Sequence, residues 1–298
     1  MPKIKIEATS AVFYLPYFVA EEEGYFADEG LDIELIRHRP ADETGLRFIE
    51  DPRKVSSFSS FKLFESGASQ LYNACEWGQL RRSQDSQVNG KVVARRAAVA
   101  SQAIIVRPDS PYNIPADLAG VRVGVNFHHG SHYLVLQTLE GFLPRTDINL
   151  VGIKGKERFE ALRDGDIDAV AVMEPWITVA EKQGYKVLAE AHYYGAEVAN
   201  DSLDAETFTK INRAVTRGVD RIHEDIRPYL KYFVAQAAPV AELVPEDFKL
   251  GRLRYIHPGP YPEDQFTRTL DWVASWGLID GDNEFGALVD ATKILQEA

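Results

Sequence analysis

The sequence predicts an α/β fold of two lobes with mixed, mainly parallel sheets. Three observations predict it. Short β-rich runs alternate with amphipathic helical stretches from residue 3 to residue 191. The helical stretches end at glycine or in a polar turn. One block, from "DSPYNIPADLAGVRVGVN" to about Ala189, holds a complete series of such units by itself. Strands alternating with helices at this spacing form parallel βαβ units.

Residues 3–8 open the pattern as a strand, with Ile4 and Ile6 on one face. "LPYFVAEEEG" comes next as a helix. Pro16 is placed near its first turn, where a missing N–H costs nothing, and Gly24 stops it. "YFADEGLDIELIRH" is a turn and then a strand alternating at Leu31, Ile33 and Leu35. "KVSSFSS", residues 54–60, reads as a third strand, and Ser59 or Ser60 caps the next helix, "FKLFESGASQLYNACEWG". "VARRAAVASQAIIVRPDSP" gives one or two strands ending at Pro108. "VRVGVN" is a buried strand. After "FHHGS" comes a helix with Leu134, Val135, Thr138, Leu139 and Phe142 at helical spacing. "INLVGI", "IDAVAVM" and "YKVLAEA" are strands, separated by the helices "KERFEALRDG" and "WITVAEKQG". From about Asp204 the chain is mainly helical, with Ser202 or Asp204 as the entering cap.

Block lengths divide the chain into a first lobe, residues 1–106 and 190–298, and a second, residues 107–189. Hinge crossings are expected near 104–108 and 188–194, with the C-terminal helices packed back on the first lobe. At 298 residues, 45% hydrophobic and 26% charged, the chain builds an ordinary core. The net charge of -12 argues against nucleic acid or an anionic membrane as partner. Apolar runs fall short of the roughly 20 residues of a membrane span, so no membrane insertion is expected. A single cysteine, Cys75, allows no intrachain disulfide. The start lacks a basic, apolar, small-residue leader pattern. The expected location is therefore cytoplasmic if Met1 is the true start and periplasmic if a signal peptide was removed.

Ligands of open α/β sheets bind beyond the carboxyl ends of the strands, so the strand-to-helix junctions supply the candidates. At the first, Ser10, Phe13 and Tyr14 offer a hydroxyl and an aromatic wall, or else a packed turn. At the next, Phe58, Ser59 and Ser60 offer hydroxyl and N–H donors. "NFHHGSHY" places His128, His129, Gly130 and Ser131 before a helix, where backbone N–H groups favour an anion. The three histidines His128, His129 and His132 lack an evident set of further ligands, so no metal is expected. "MEPW" sets Glu174 beside a helix start and Trp176 near the cleft; the alternative is a capping acid and a core ring. Tyr193 lies just past the second crossing and faces the cleft from the hinge. Cys75, inside an apolar stretch, reads as core.

Four stretches in order, "EEEGYFADEGLDIEL", "IIVRPDSPYNIPADLAGVRVGVN", "RFEALRDGDIDAVAVMEPW" and "LDWVASWGLID", resemble the type II periplasmic-binding-protein superfamily. The similar branch holds the sulfonate, taurine and nitrate binders and the thiamin-pyrimidine synthases. The resemblance implies two α/β lobes closing on a small ligand. In the synthases a lysine past the third strand holds pyridoxal phosphate, with a histidine one turn later. Here Lys62 is followed by Ser66, and the iron-binding cysteine motif is missing, so no cofactor is expected. A biphenyl-sulfinate desulfinase of the superfamily carries its cysteine after the first strand, where this chain has Ala11 and Val12.

The expected function is a solute-binding protein that captures a small organic molecule, anionic or aromatic, for the permease of an ABC-type importer. The rival is a cytosolic lyase or decarboxylase acting on a small aromatic acid, with His128, His129 and Glu174 as its acid–base candidates.

Overall fold

The computed structural model describes residues 3–37, 48–154 and 157–293. In chain order the strands and helices are β1 (Ile4–Glu7), α1 (Ala11–Glu22), α2 (Tyr25–Asp28), β2 (Ile33–Ile36), α3 (Lys62–Glu65), β3 (Leu71–Cys75), α4 (Glu76–Asp85), β4 (Lys91–Arg95) and β5 (Ala98–Val106). They continue with β6 (Arg122–Val125), α5 (Gly130–Leu139), β7 (Asn149–Gly152), α6 (Glu157–Asp164), β8 (Ala169–Met173), α7 (Trp176–Lys182), β9 (Lys186–Tyr193) and β10 (Gly195–Ala199). The last are α8 (Ala205–Glu224), α9 (Lys231–Ala237), β11 (Arg254–Tyr255), α10 (Glu263–Ser275) and α11 (Phe285–Leu288).

Among the described residues two sheets form, in the orders β2-β1-β3-β10-β4 and β11-β5-β8-β6-β7, with β9 also pairing β5. β1 pairs β2 and β3 in parallel, and β6 pairs β7 and β8 in parallel. The pairs made by β5, β10 and β11 are antiparallel. The architecture is mixed as expected, but it is not mainly parallel: among the described strand pairs four are parallel and five antiparallel, because β5 and β10 run against their neighbours. The expected crossing near 104–108 instead falls inside and just after β5, whose Ile104, Ile105 and Val106 are paired on both sides. The chain changes sheet at Arg96 and Ala97, between β4 and β5, and again at Tyr194, between β9 and β10. The two crossings are joined by a backbone bond, Arg96 N–H to Gly195 carbonyl, at 2.8 Å.

The third strand is the main local correction. "KVSSFSS" forms no strand; Pro52–Lys54 is a 3-10 turn, and residues 56–61 bond locally, Ser59 N–H to Ser56 carbonyl and Phe61 N–H to Phe58 carbonyl. The strand is "LYNAC", buried at every position. A strand covered on both faces shows no alternation, so it reads like part of a helix. Pro16 also stands elsewhere than expected. α1 begins at Ala11, so Pro16 lies inside it. There it removes the backbone donor that would bond the Val12 carbonyl. α8 crosses at this point, and a Cβ on Gly218 would overlap the Pro16 carbonyl; glycine permits the approach.

The C-terminal helices pack as expected. α8 lies on α1 and α2, α9 on α1, and α10 and α11 on α4. Asp204 caps α8, accepting the Thr207 N–H at 2.8 Å.

Candidate functional site

Parallel strands of both sheets, β1, β2 and β3 in the first and β6 and β8 in the second, end at one cavity of about 310 Å³. From the first sheet come Thr9, Ser10 and Phe13 after β1, Arg37 after β2, and Ala74 and Cys75 at the end of β3. From the second come Asn126, His129, Gly130 and Ser131 between β6 and α5, Met173 and Trp176 around β8 and α7, and Gln102 on β5. Arg158 of α6, Tyr193 of β9 and Gln236 of α9 complete the wall. The carboxyl ends of parallel strands thus form the site, as the rule for open sheets requires.

A second, larger groove has a volume of about 1290 Å³. Its wall carries Glu50, Asp51, Glu65, Asp85 and Asp280 against Arg53, Lys54 and Arg81. It borders turns and helices, not strand ends, so the smaller cavity is the candidate site.

Seven of the thirteen expected binding residues line the smaller cavity: Ser10, Phe13, His129, Gly130, Ser131, Trp176 and Tyr193. The other six do not. Tyr14 points into the core, where its hydroxyl meets the Asn73 backbone carbonyl at 3.1 Å. Ser59 and Ser60 line neither this cavity nor the larger groove, because their segment is a turn and not a strand mouth. His128 has a left-handed backbone, φ 61°, and its ring nitrogen meets the Pro52 carbonyl at 3.0 Å. Phe58 and His128 instead border the larger groove. Glu174 is wholly buried and bonds the Thr178 N–H and Arg252. It is the capping acid, while Trp176 reaches the cleft.

The cavity's chemistry is distinct from that of the chain around it. The protein carries a net charge of -12, yet among the described residues the lining holds Arg37, Arg158 and His129 and no carboxylate. Arg158 is anchored by its Nη1 donating to the Ala171 carbonyl at 2.8 Å. Arg37 sits at the rim, paired with Glu21 and stacked over Phe18 at 4.3 Å. Ser131 Oγ accepts the Asn126 N–H at 2.9 Å, which leaves its hydroxyl proton to donate. Ser10 Oγ and Gln102 Nε2 are buried without a hydrogen-bond partner. A buried polar group normally has a partner, and these two border the cavity with that capacity unused. The rings of Phe13 and Trp176 supply apolar surface.

Gly130 allows one close contact. A Cβ there would overlap the Tyr193 hydroxyl, so the start of α5 touches the hinge tyrosine only because residue 130 is glycine. Cys75 lies both in the core and at the cavity floor; burial raises its thiol pKa. His132 is pushed down to about 3 by burial and is neutral. Among the described residues no group of three or more histidines, cysteines or acids converges on a metal-sized site. The acid–base candidates do not meet: His129 lines the cavity, whereas His128 and Glu174 turn away from it. Sequence reasoning missed Arg158, Arg37, Gln102, Asn126 and Gln236, which reach the site from elements far apart in the chain.

A model of the NMT1-like family matches residues 2–194. Among curated proteins no sequence matches. Among solved structures the chain is similar to the alkanesulfonate-binding protein SsuA of Xanthomonas axonopodis pv. citri bound to MOPS, with TM-score 0.75, 15% identity, and 96% of this chain and 97% of that one covered. It is also similar to the Candida albicans CA3427 gene product, described as having the generic periplasmic binding protein fold, with TM-score 0.75, 14% identity and coverage of 100% and 99%. A third is the ligand-binding component of an ABC-type import system from Staphylococcus aureus with zinc bound, at TM-score 0.70, 14% identity and 98% coverage of each chain. At such identities the likeness establishes the fold alone, the periplasmic-binding-protein fold. The family model spans well over half of the sequence: the chain belongs to the NMT1-like family.

Proposed function

We propose that this protein is a solute-binding protein. It captures a small organic anion with an aromatic or apolar body and delivers it to the permease of an ABC-type importer. The observation that carries this reading is the charge inversion at the cavity: two arginines and a histidine, no carboxylate among the described lining residues, in an acidic chain. The start of α5 adds oriented N–H groups at the same wall. Phe13 and Trp176 suit the ligand's body. Alkanesulfonate-binding and ABC-import neighbours of the same fold support the role. The lobes close about the crossings at residues 96–97 and 194, where connections through β4–β5 and β9–β10 join the sheets. Binding without turnover is favoured over a lyase, because His128, His129 and Glu174 do not face one substrate.

Native mass spectrometry tests this. The protein is incubated with a mixture of small carboxylates, sulfonates and their neutral amides. One acid per chain should be retained and released at unchanged mass. Retention of amides alone, or release of products of altered mass, contradicts the reading.

A further inference from the structure

Arg96 stands at the first sheet crossing, fully buried. Its Nε donates to the Ala98 carbonyl at 3.0 Å. Its Nη1 and Nη2 make no hydrogen bond of normal geometry, and the Tyr193 hydroxyl is the polar group that interacts with them. The guanidinium is covered by two rings that themselves line the cavity, Phe13 at 4.3 Å and Tyr193 at 5.6 Å from its carbon to the ring centroids. It lies over Gly195, where a Cβ would overlap both the guanidinium and the Ala74 carbonyl. Two acids feel its charge without hydrogen-bonding it, and one of them, Glu197, has an Oε2 with no partner. Glu76 accepts from Tyr261 and Gln265, and Glu197 accepts from the Tyr17 hydroxyl at 2.6 Å.

A guanidinium carries five N–H donors and cannot lose its charge. Burying such a group with two nitrogens unbonded is unfavourable unless something else uses them. Ring faces attract the cation but accept its hydrogens poorly compared with an oxyanion. The rings separating Arg96 from the cavity come from different elements, Phe13 from α1 and Tyr193 from the end of β9. A shift between the lobes therefore changes the gap between them.

We propose that Arg96 gives the cleft its preference for acids: a ligand's carboxylate or sulfonate passes between Phe13 and Tyr193 and takes bidentate bonds from Nη1 and Nη2. This rests on the cavity being the ligand site. It adds that an arginine absent from the cavity wall, seated at the hinge, reads the ligand's charge. Because the same residue lies at both crossings, the oxyanion also ties the ligand to the point about which the lobes turn.

The test is calorimetric titration of the full chain with benzoate, benzenesulfonate and neutral benzamide. In the unaltered protein both acids should bind at least tenfold more tightly than benzamide. In Arg96→Met that ratio should fall to within threefold, with benzamide affinity retained. Phe13→Ala removes apolar wall from acids and amide alike but uncovers Arg96, so the ratio of acid to benzamide affinity should rise at least threefold, and that ratio serves if Arg96→Met does not fold. Full acid preference in Arg96→Met, or an unchanged ratio in Phe13→Ala, overturns the role of Arg96 while leaving the binding function standing. Absence of any acid preference in the unaltered protein overturns the proposed anion binding and the role of Arg96 with it.

Discussion

Glu174 and Arg252 face each other behind the cleft, not across it: Glu174 Oε1 lies 3.4 Å from Arg252 Nη1, and both side chains are buried. Arg252 also pairs with Glu181 and Glu190 at 2.8 and 2.9 Å. One cation therefore fastens the segment around residue 252 to α7 and β9. Burial raises the Glu174 pKa against the pull of Thr178 and Arg252, whereas the Arg252 bonds hold Glu181 down at about 2.

Glu174→Ala should accordingly act on stability and not on ligand recognition. It removes the acceptor of the Thr178 N–H and one of three carboxylates on Arg252. Loss of one partner from a buried set costs about 1–3 kcal/mol. Urea unfolding should show a lower midpoint, with benzoate affinity within about twofold of the unaltered protein. A tenfold loss of affinity at unchanged stability would return Glu174 to the ligand site.

Stability should fall as pH rises from about 4.5 to 7, through Glu197 and Glu76. Burial pushes each carboxyl up to about 7 from 4.5. Between those values the folded chain keeps a proton that the unfolded chain has lost. Each group then removes about 1.4 kcal/mol of stability per pH unit, levelling off above pH 7. His132 has the opposite sign: held down at about 3 from 6.5, it costs stability as pH falls below 6.5. The difference between the unaltered protein and Glu197→Gln isolates one carboxyl. That difference should move in favour of Gln as pH rises from 5 to 7; a flat difference would contradict the assignment.

Gly130→Ala should weaken benzoate binding tenfold or more. The new methyl overlaps the Tyr193 hydroxyl, and a phenol ring cannot bend away as a flexible chain would. Either Tyr193 or the start of α5 must shift, and both line the cavity. Affinity is read by calorimetry, and unchanged affinity would show that Tyr193 and α5 do not set the site.

The fold was legible where burial is one-sided or where turns punctuate. The β6, β8 and α7 region was read from "VRVGVN", "IDAVAVM" and "WITVAEKQG" because strand and helix periods alternate cleanly there. β3 was not, since Leu71, Tyr72, Asn73, Ala74 and Cys75 are all buried and show no period. That one misreading moved the expected third mouth to Phe58, Ser59 and Ser60 and hid Cys75's place at the cavity floor. His128 and His129 are neighbours in sequence with identical chemistry. A left-handed backbone at His128 sends its side chain to Pro52, a tertiary fact with no local signal. Arg158 looked like any charged residue at the start of a helix, and only the meeting of α6 with the cavity distinguishes it.

The most direct test of the central claim is a crystal structure of the protein with the acid it retains in native mass spectrometry. Density for that acid should lie between Phe13 and Trp176 in the 310 Å³ cavity, its oxyanion within hydrogen-bond distance of an arginine. Density in the larger groove beside His128 and Asp280, or an acid held in this cavity without contact to any arginine, would contradict it.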